Sequence, residues 1–249
     1  MEEGYQLAKL KCGINFAPAL GLPPVALLSC PGSGNTWLRH LIELMTGIYT
    51  GSVYQDKVLY QGGFLGEFDE WNSGRVVAVK THTRSKIHLQ RFSSVILLIR
   101  NPYGAIASEV NRRLGGHTFQ MQWTKELAES EEFSTTVVQV MNYWERIIHN
   151  VFENYMGPVL VIHYEDIKQQ PEEMLKRIVN FLNMNVDQER LFCIKQELSG
   201  NFKRELTVAD RKVQFEFVKG QNQNITERIM MVNKLLLDRG YPQVVPYDL

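Results

Sequence analysis

Pro31-Gly32-Ser33-Gly34-Asn35-Thr36-Trp37 follows an apolar run, Val25–Cys30, and leads into a helical pattern, so it reads as a turn between a strand and a helix. Such a turn gathers bare backbone N–H groups at the positive end of a helix dipole, which suits an anion. Gly32 and Gly34 let the backbone close around a phosphate, and Ser33, Asn35 and Thr36 add short side-chain donors. Two common phosphate loops do not fit. No Gly-Lys completes GxxxxGK[ST], and Trp37 stands where the third glycine of GxGxxG should pack. A nucleoside triphosphatase or a dinucleotide enzyme is therefore disfavoured, as is a small-molecule kinase, which would also need a strand-end aspartate for magnesium.

Two further groups close apolar runs. Lys80-Thr81-His82 ends Val76–Val79, setting a cation and a candidate general base at a strand terminus. Arg100 ends Val95–Ile99, and Asn101-Pro102 then opens a helix, with proline in the first turn where its missing N–H costs nothing. Ser108, eight residues beyond Arg100, falls on roughly the same helix side as Gly104, so a phosphate along that side would meet both Arg100 and Ser108.

These groups converge only if the runs are neighbouring parallel strands. Val159–Ile162 is a fourth run, and helical spacing follows each major one: Leu38, Leu41, Ile42 and Met45; Ile106, Val110 and Leu114; Leu175, Ile178, Val179 and Leu182. Strand-then-helix alternation predicts an α/β fold, a doubly wound, mostly parallel sheet flanked by helices. Further helices are expected at about 134–155 and 226–239, and the aperiodic stretches 47–74 and 115–133 as insertions that shape an acceptor site. With 249 residues, 44% of them hydrophobic, one domain is expected: a nucleotide-binding core at about 25–204, a lead over 1–24 and a helical end over 205–249.

The 27 basic and 27 acidic residues balance, so no global field draws the chain to nucleic acid. No secretory signal or membrane span is evident, which by itself reads as a soluble, cytoplasmic chain. Cys12, Cys30 and Cys193 carry neither zinc-site spacing nor a disulfide framework, and Asn224-Ile225-Thr226 is a glycosylation sequon.

Taken in order, PGSGNTW, KTH and RNPYGAIAS resemble the sulfotransferases that use 3′-phosphoadenosine 5′-phosphosulfate (PAPS), which have a P-loop NTPase-like fold. The spelling of the first motif is most similar to the WSC-domain-containing branch, although no cysteine-rich WSC module is present. The resemblance implies that Gly32, Ser33, Gly34, Asn35, Thr36 and Trp37 form the 5′-phosphosulfate loop and that Arg100 and Ser108 hold the 3′-phosphate. The segment His163-Tyr164-Glu165-Asp166 is similar to the family's later strand and helix. Gly200-Asn201-Phe202-Lys203-Arg204 resembles the loop that closes over the nucleotide, with Phe202, Lys203 and Arg204 contributing there. The family further implies an acceptor hydroxyl, on a glycan in this branch, no metal, and a Golgi lumenal setting.

One departure matters. The loop lysine of the family, which neutralises the leaving oxygen, falls at Gly32. The expected substitute is Lys80, with Arg39 and Arg84 behind it, and His82 as the base; a lysine restored at position 32 would then test whether the slot still works. The rival reading is a nucleotide- or glycan-binding relative without turnover. Tyr49, Tyr54, Tyr60, Phe64, Phe68, Trp71 and Trp123 are either sugar-stacking or core aromatics.

Overall fold

The computed structural model describes residues 12–115, 123–185, 187, 189–198, 207–221 and 225–247. Five strands form one all-parallel sheet: β1 (Val25–Ser29), β2 (Gly51–Ser52), β3 (Val79–Thr81), β4 (Ser94–Ile99) and β5 (Val159–His163), in the order β2-β3-β1-β4-β5. The chain leaves β1 towards β2 and β3 on one side, then crosses back to β4 and β5 on the other. That reversal beside β1 opens a crevice at the carboxyl ends of the strands, where open α/β sheets bind ligands.

The helices are α1 (Asn35–Thr46), α2 (Lys57–Gln61), α3 (Lys86–Leu89), α4 (Pro102–Gly115), α5 (Lys125–Glu129), α6 (Glu131–Asn154), α7 (Tyr164–Gln169), α8 (Pro171–Phe181), α9 (Arg190–Glu197), α10 (Val208–Gln221) and α11 (Ile225–Asp238). Strand side chains alternate between the faces. Ala26 and Leu28 join Ile106, Phe133, Val137 and Trp144 of α4 and α6, while Val25 and Leu27 join Leu38, Leu41, Ile178 and Ile194 of α1, α8 and α9. Apolar burial on both faces is why the strands read as unbroken hydrophobic runs. Gly47, at φ 70°, ends α1 by returning its N–H to the Glu43 carbonyl at 2.8 Å.

Two expectations need correcting. The 47–74 stretch, expected only as an aperiodic insertion, carries short elements that its lack of period hid: β2, α2 and a 3₁₀ turn at Leu65–Phe68. And a disulfide is present, Cys12–Cys193, with Cα atoms 5.7 Å apart. A separation of 181 residues leaves no framework pattern in the sequence; the packing of α9 on α1 creates the proximity. Cys30 stays a buried free thiol. Among the described residues no helix is long and apolar enough to cross a membrane.

Candidate active site

The turn after β1 is shaped by two glycines in left-handed backbone, Gly32 at φ 81° and Gly34 at φ 90°. Both are also crowded. A Cβ on Gly34 would sit 2.6 Å from the Tyr164 ring, and one on Gly32 would overlap the Ala105 carbonyl oxygen and come within 3.1 Å of the Glu109 nitrogen. The loop therefore lies against α4 and α7 in a way only glycine permits. The slot for a family lysine is closed by α4, so refilling position 32 would displace the loop rather than restore a cation.

α1 starts directly from this loop with no side-chain cap and no acidic residue in its first turn, leaving its first N–H groups to an anion. The Ser33 hydroxyl is buried without a hydrogen-bond partner, an unmet donor in the same cradle. Asn35 is directed elsewhere: its Nδ2 donates to the Leu27 carbonyl at 3.0 Å and to Ser29 Oγ at 3.1 Å, fastening α1 to β1. Thr36 lies half-buried in the first turn of α1. Trp37 Nε1 donates to the Leu198 carbonyl at 2.7 Å and its ring meets Tyr164 edge-on at 5.4 Å, tying the loop helix to the end of α9.

Arg100 reaches the same loop. Its Nη1 donates to the Gly32 carbonyl at 2.8 Å, its guanidinium lies 4.2 Å over the Tyr164 ring, and its backbone carbonyl accepts from Trp144 Nε1 of α6 at 2.9 Å. A Cβ on Gly104 would stand 2.8 Å from Arg100 Nε. Ser108, one turn further along α4, is half-buried on the face that Arg100 overlies. The loop and Arg100 thus share one corner of the crevice, and helical spacing from Gly104 puts Ser108 on the α4 face beside it.

His82 stands at the end of β3, across β1 from Arg100. Its Nδ1 lies 2.7 Å from the Ser29 carbonyl, an acceptor only, so the ring proton resides there and Nε2 keeps its lone pair. Its backbone N–H donates to the Tyr54 hydroxyl at 2.7 Å, Tyr143 Oη donates to its carbonyl, and the Tyr54 ring stacks on the imidazole at 5.5 Å. Burial, then the neighbouring Lys80 charge, lowers its pKa to about 4, so the ring is neutral at pH 7. Lys80 itself is 9% exposed, lies 5.9 Å from the Tyr54 ring centre, and is brought down to about 8 by burial and by Arg39, against the pull of Glu67 and Asp56.

The two reserve cations are otherwise engaged. Arg39 is wholly buried: Nη1 pairs with Glu67, Nε donates to Thr50 Oγ1 at 2.7 Å, and the guanidinium covers Phe64 at 4.5 Å. Glu43 accepts from the Thr50 N–H at 2.9 Å, and burial raises it to about 7. This cluster ties the 47–74 stretch to α1 and so places Tyr54 beside His82. Arg84 lies 4.2 Å over the Tyr143 ring. Of the candidate acceptor aromatics, only Tyr54 touches His82; Tyr60 and Phe68 form an exposed edge-on pair, Phe64 is core, and Trp123 packs on Phe133 and Phe217. Tyr49 packs on Phe16, and Trp71 on Phe92. Tyr54 stood among the acceptor aromatics and Tyr164 within a family-like segment, but neither was expected against His82 or Arg100, and Tyr143 carried no signal in the sequence. Phe202, Lys203, Arg204 and Asn224 lie outside the described residues.

Comparison with known proteins agrees with this architecture. Residues 22–228 match the family described as Sulfotransferase domain. Similar relatives include WSCD family member CG9164 of Drosophila melanogaster, 34% identical over 86% of this chain and 66% of its own length, and WSCD family member AAEL009094 of Aedes aegypti, 37% identical over 72% and 56%. The chain thus spans between about half and two thirds of the curated relatives it matches. Among solved structures, mouse sulfotransferase SULT7A1 complexed with PAP superposes with a TM-score of 0.53 at 17% identity, covering 85% of each chain. The sulfotransferase domain from the curacin biosynthetic pathway gives 0.50 at 17% identity, over 85% of this chain and 98% of the other. At that identity the two structures speak for the fold, and the matched length speaks for the family: this chain belongs to the sulfotransferase domain family.

Proposed function

We propose that the chain transfers a sulfuryl group from PAPS to an acceptor hydroxyl, and that the acceptor is a glycan. The observation that carries this reading is the arrangement across β1: an uncapped glycine loop and Arg100 on one side, and a neutral imidazole held by Ser29 on the other. His82 Nε2 takes the proton of the acceptor hydroxyl while the oxygen attacks sulfur. The sulfur–oxygen bond to the 5′-phosphate breaks, and adenosine 3′,5′-bisphosphate departs with the electron pair. The loop N–H groups and the Lys80 ammonium stabilise the charge that builds on the departing oxygen. A pKa of about 4 suits a ring that must start neutral, and the anionic donor beside it raises its basicity. Lys80 lies two residues before His82 in β3, and the other two candidate cations, Arg39 and Arg84, are held by Glu67 and Tyr143, which supports its taking the duty of the missing loop lysine.

The Cys12–Cys193 disulfide supports an oxidising, lumenal compartment. A second reading, a binding module without turnover, draws on the closed lysine slot at Gly32.

Calorimetric titration tests the donor assignment. Adenosine 3′,5′-bisphosphate should bind more tightly than ATP, and Arg100→Ala should weaken the bisphosphate by about 1.5–3 kcal/mol in a folded protein. Tighter ATP binding, or an indifferent Arg100→Ala, would remove the assignment.

Lys80 gives a pH signature. Its ammonium must be charged to act, so kcat/KM should fall as pH rises through about 8. Lys80→Arg, which keeps its charge, should move that alkaline limb out of the measurable range. An unmoved limb would take Lys80 out of the reaction.

A further inference from the structure

At Gly240, φ 75°, the chain turns out of α11 and runs along β5, from Val159 at the start of that strand to Asn101 just past the end of β4. Its course is fastened at nearly every step. The Tyr241 hydroxyl donates to the Val159 carbonyl at 3.3 Å, and His163 Nε2 donates to the Pro242 carbonyl at 3.2 Å. The Val244 N–H donates to Asn233 Oδ1 at 2.8 Å, and Asn101 Nδ2 donates to the Val245 carbonyl at 3.0 Å. His163 and Asn101 directly adjoin Tyr164 and Arg100 in sequence, so the side chains flanking two site motifs hold this strap.

What the strap delivers is Tyr247. Its ring stacks on Phe215 of α10 at 5.7 Å and 11°, beside Tyr103 at 6.2 Å. A Cβ on Gly104 would lie 3.0 Å from Tyr247 Cε2 and 2.8 Å from Arg100 Nε, so the two side chains meet over Gly104, where glycine leaves them room. Arg211, one turn before Phe215, stands on the same side of α10, and its charge and those of Arg100 and Glu165 act on the Tyr247 hydroxyl. Tyr164 covers Arg100 from the loop side and Tyr247 approaches it from the strap, bounding the guanidinium with two aromatic rings.

We propose that Tyr247 is a ligand of the donor's 3′-phosphate, with the C-terminal strap forming a wall of the nucleotide site. The inference rests on the donor reading given above and adds to it a residue far from every phosphate motif. The ligand class is a nucleoside 3′,5′-bisphosphate. The phenol donates to a phosphate oxygen while its ring keeps the Arg100 fork in place. Burial, the largest influence on the phenol, keeps it protonated and able to donate.

The test uses the full chain as wild type, Tyr247→Phe and Tyr247→Ala, with dissociation constants measured for adenosine 3′,5′-bisphosphate and for adenosine 5′-phosphate. Tyr247→Ala should weaken the bisphosphate on the order of 10-fold, and Tyr247→Phe should give a smaller loss. Neither should change 5′-phosphate affinity by more than about twofold, because that nucleotide lacks the group Tyr247 meets. Bisphosphate affinity that is unchanged or tighter in Tyr247→Ala would overturn the inference, and so would equal weakening of both nucleotides, which would mean the strap only props the fold. A wild type that fails to bind the bisphosphate overturns the donor reading itself, and is told apart because no variant is needed to see it.

Discussion

His82→Ala should lower turnover by ~10²–10⁴-fold while leaving affinity for adenosine 3′,5′-bisphosphate within about twofold. The asymmetry follows from position. His82 ends β3, whereas the loop and Arg100, proposed to serve the nucleotide, follow β1 and β4. The ring's single proton is committed to the Ser29 carbonyl, so it offers the acceptor a lone pair on Nε2 and offers the donor little. Its backbone is held independently by Tyr54 and Tyr143, which should keep the strand end in place when the ring is removed. His82→Gln separates base from shape: it can occupy similar space but cannot accept a proton at neutral pH, so it should be nearly as damaged as alanine. Substantial activity in His82→Gln would assign the base elsewhere.

Gly32→Lys should abolish donor binding, with a loss on the order of 10²-fold or more, and should not create activity. Two costs add. A non-glycine residue at φ 81° is strained by roughly 1–3 kcal/mol, and its Cβ must push away the Ala105 carbonyl, an overpacking penalty of similar size. Because Arg100 donates to the Gly32 carbonyl, displacing the loop also disturbs the corner proposed for the 3′-phosphate. Gly32→Ala isolates the backbone from the charge and should show most of the same loss. A folded Gly32→Lys protein with raised turnover would mean that the loop opens to admit the side chain and that the natural enzyme is merely short of a cation. The sequence alone leaves both outcomes open, since Lys80 could have taken over the role or the lysine could simply be missing; the proximity of α4 argues for the first.

That contrast illustrates what could be read before the structure. Lys80, His82 and Arg100 stood out because each ends an apolar run, and in a parallel sheet run ends share one edge. β2 escaped notice because Gly51 and Ser52 have no apolar pattern; the strand exists through its backbone ladder to β3. Arg39 was expected as a reserve cation behind Lys80, yet helical geometry turns it inward to Glu67, a pairing that depends on how the 47–74 stretch folds back. Tyr54, Tyr143 and Tyr247 reach His82 and Arg100 across 28, 61 and 147 residues respectively, and single tyrosines at such distances carry no local signal. The Cys12–Cys193 bond was hidden for the same reason.

The central claim is tested most directly by incubating the wild-type chain with PAPS carrying a labelled sulfuryl group and a panel of glycan, phenol and steroid hydroxyl acceptors, and following label and nucleotide together. The account predicts label on at least one hydroxyl acceptor, most strongly a glycan, with one adenosine 3′,5′-bisphosphate released per group transferred and both signals lost in His82→Ala. Tight bisphosphate binding without transfer to any acceptor would contradict it and establish the chain as a binding module that has kept the pocket and lost the reaction.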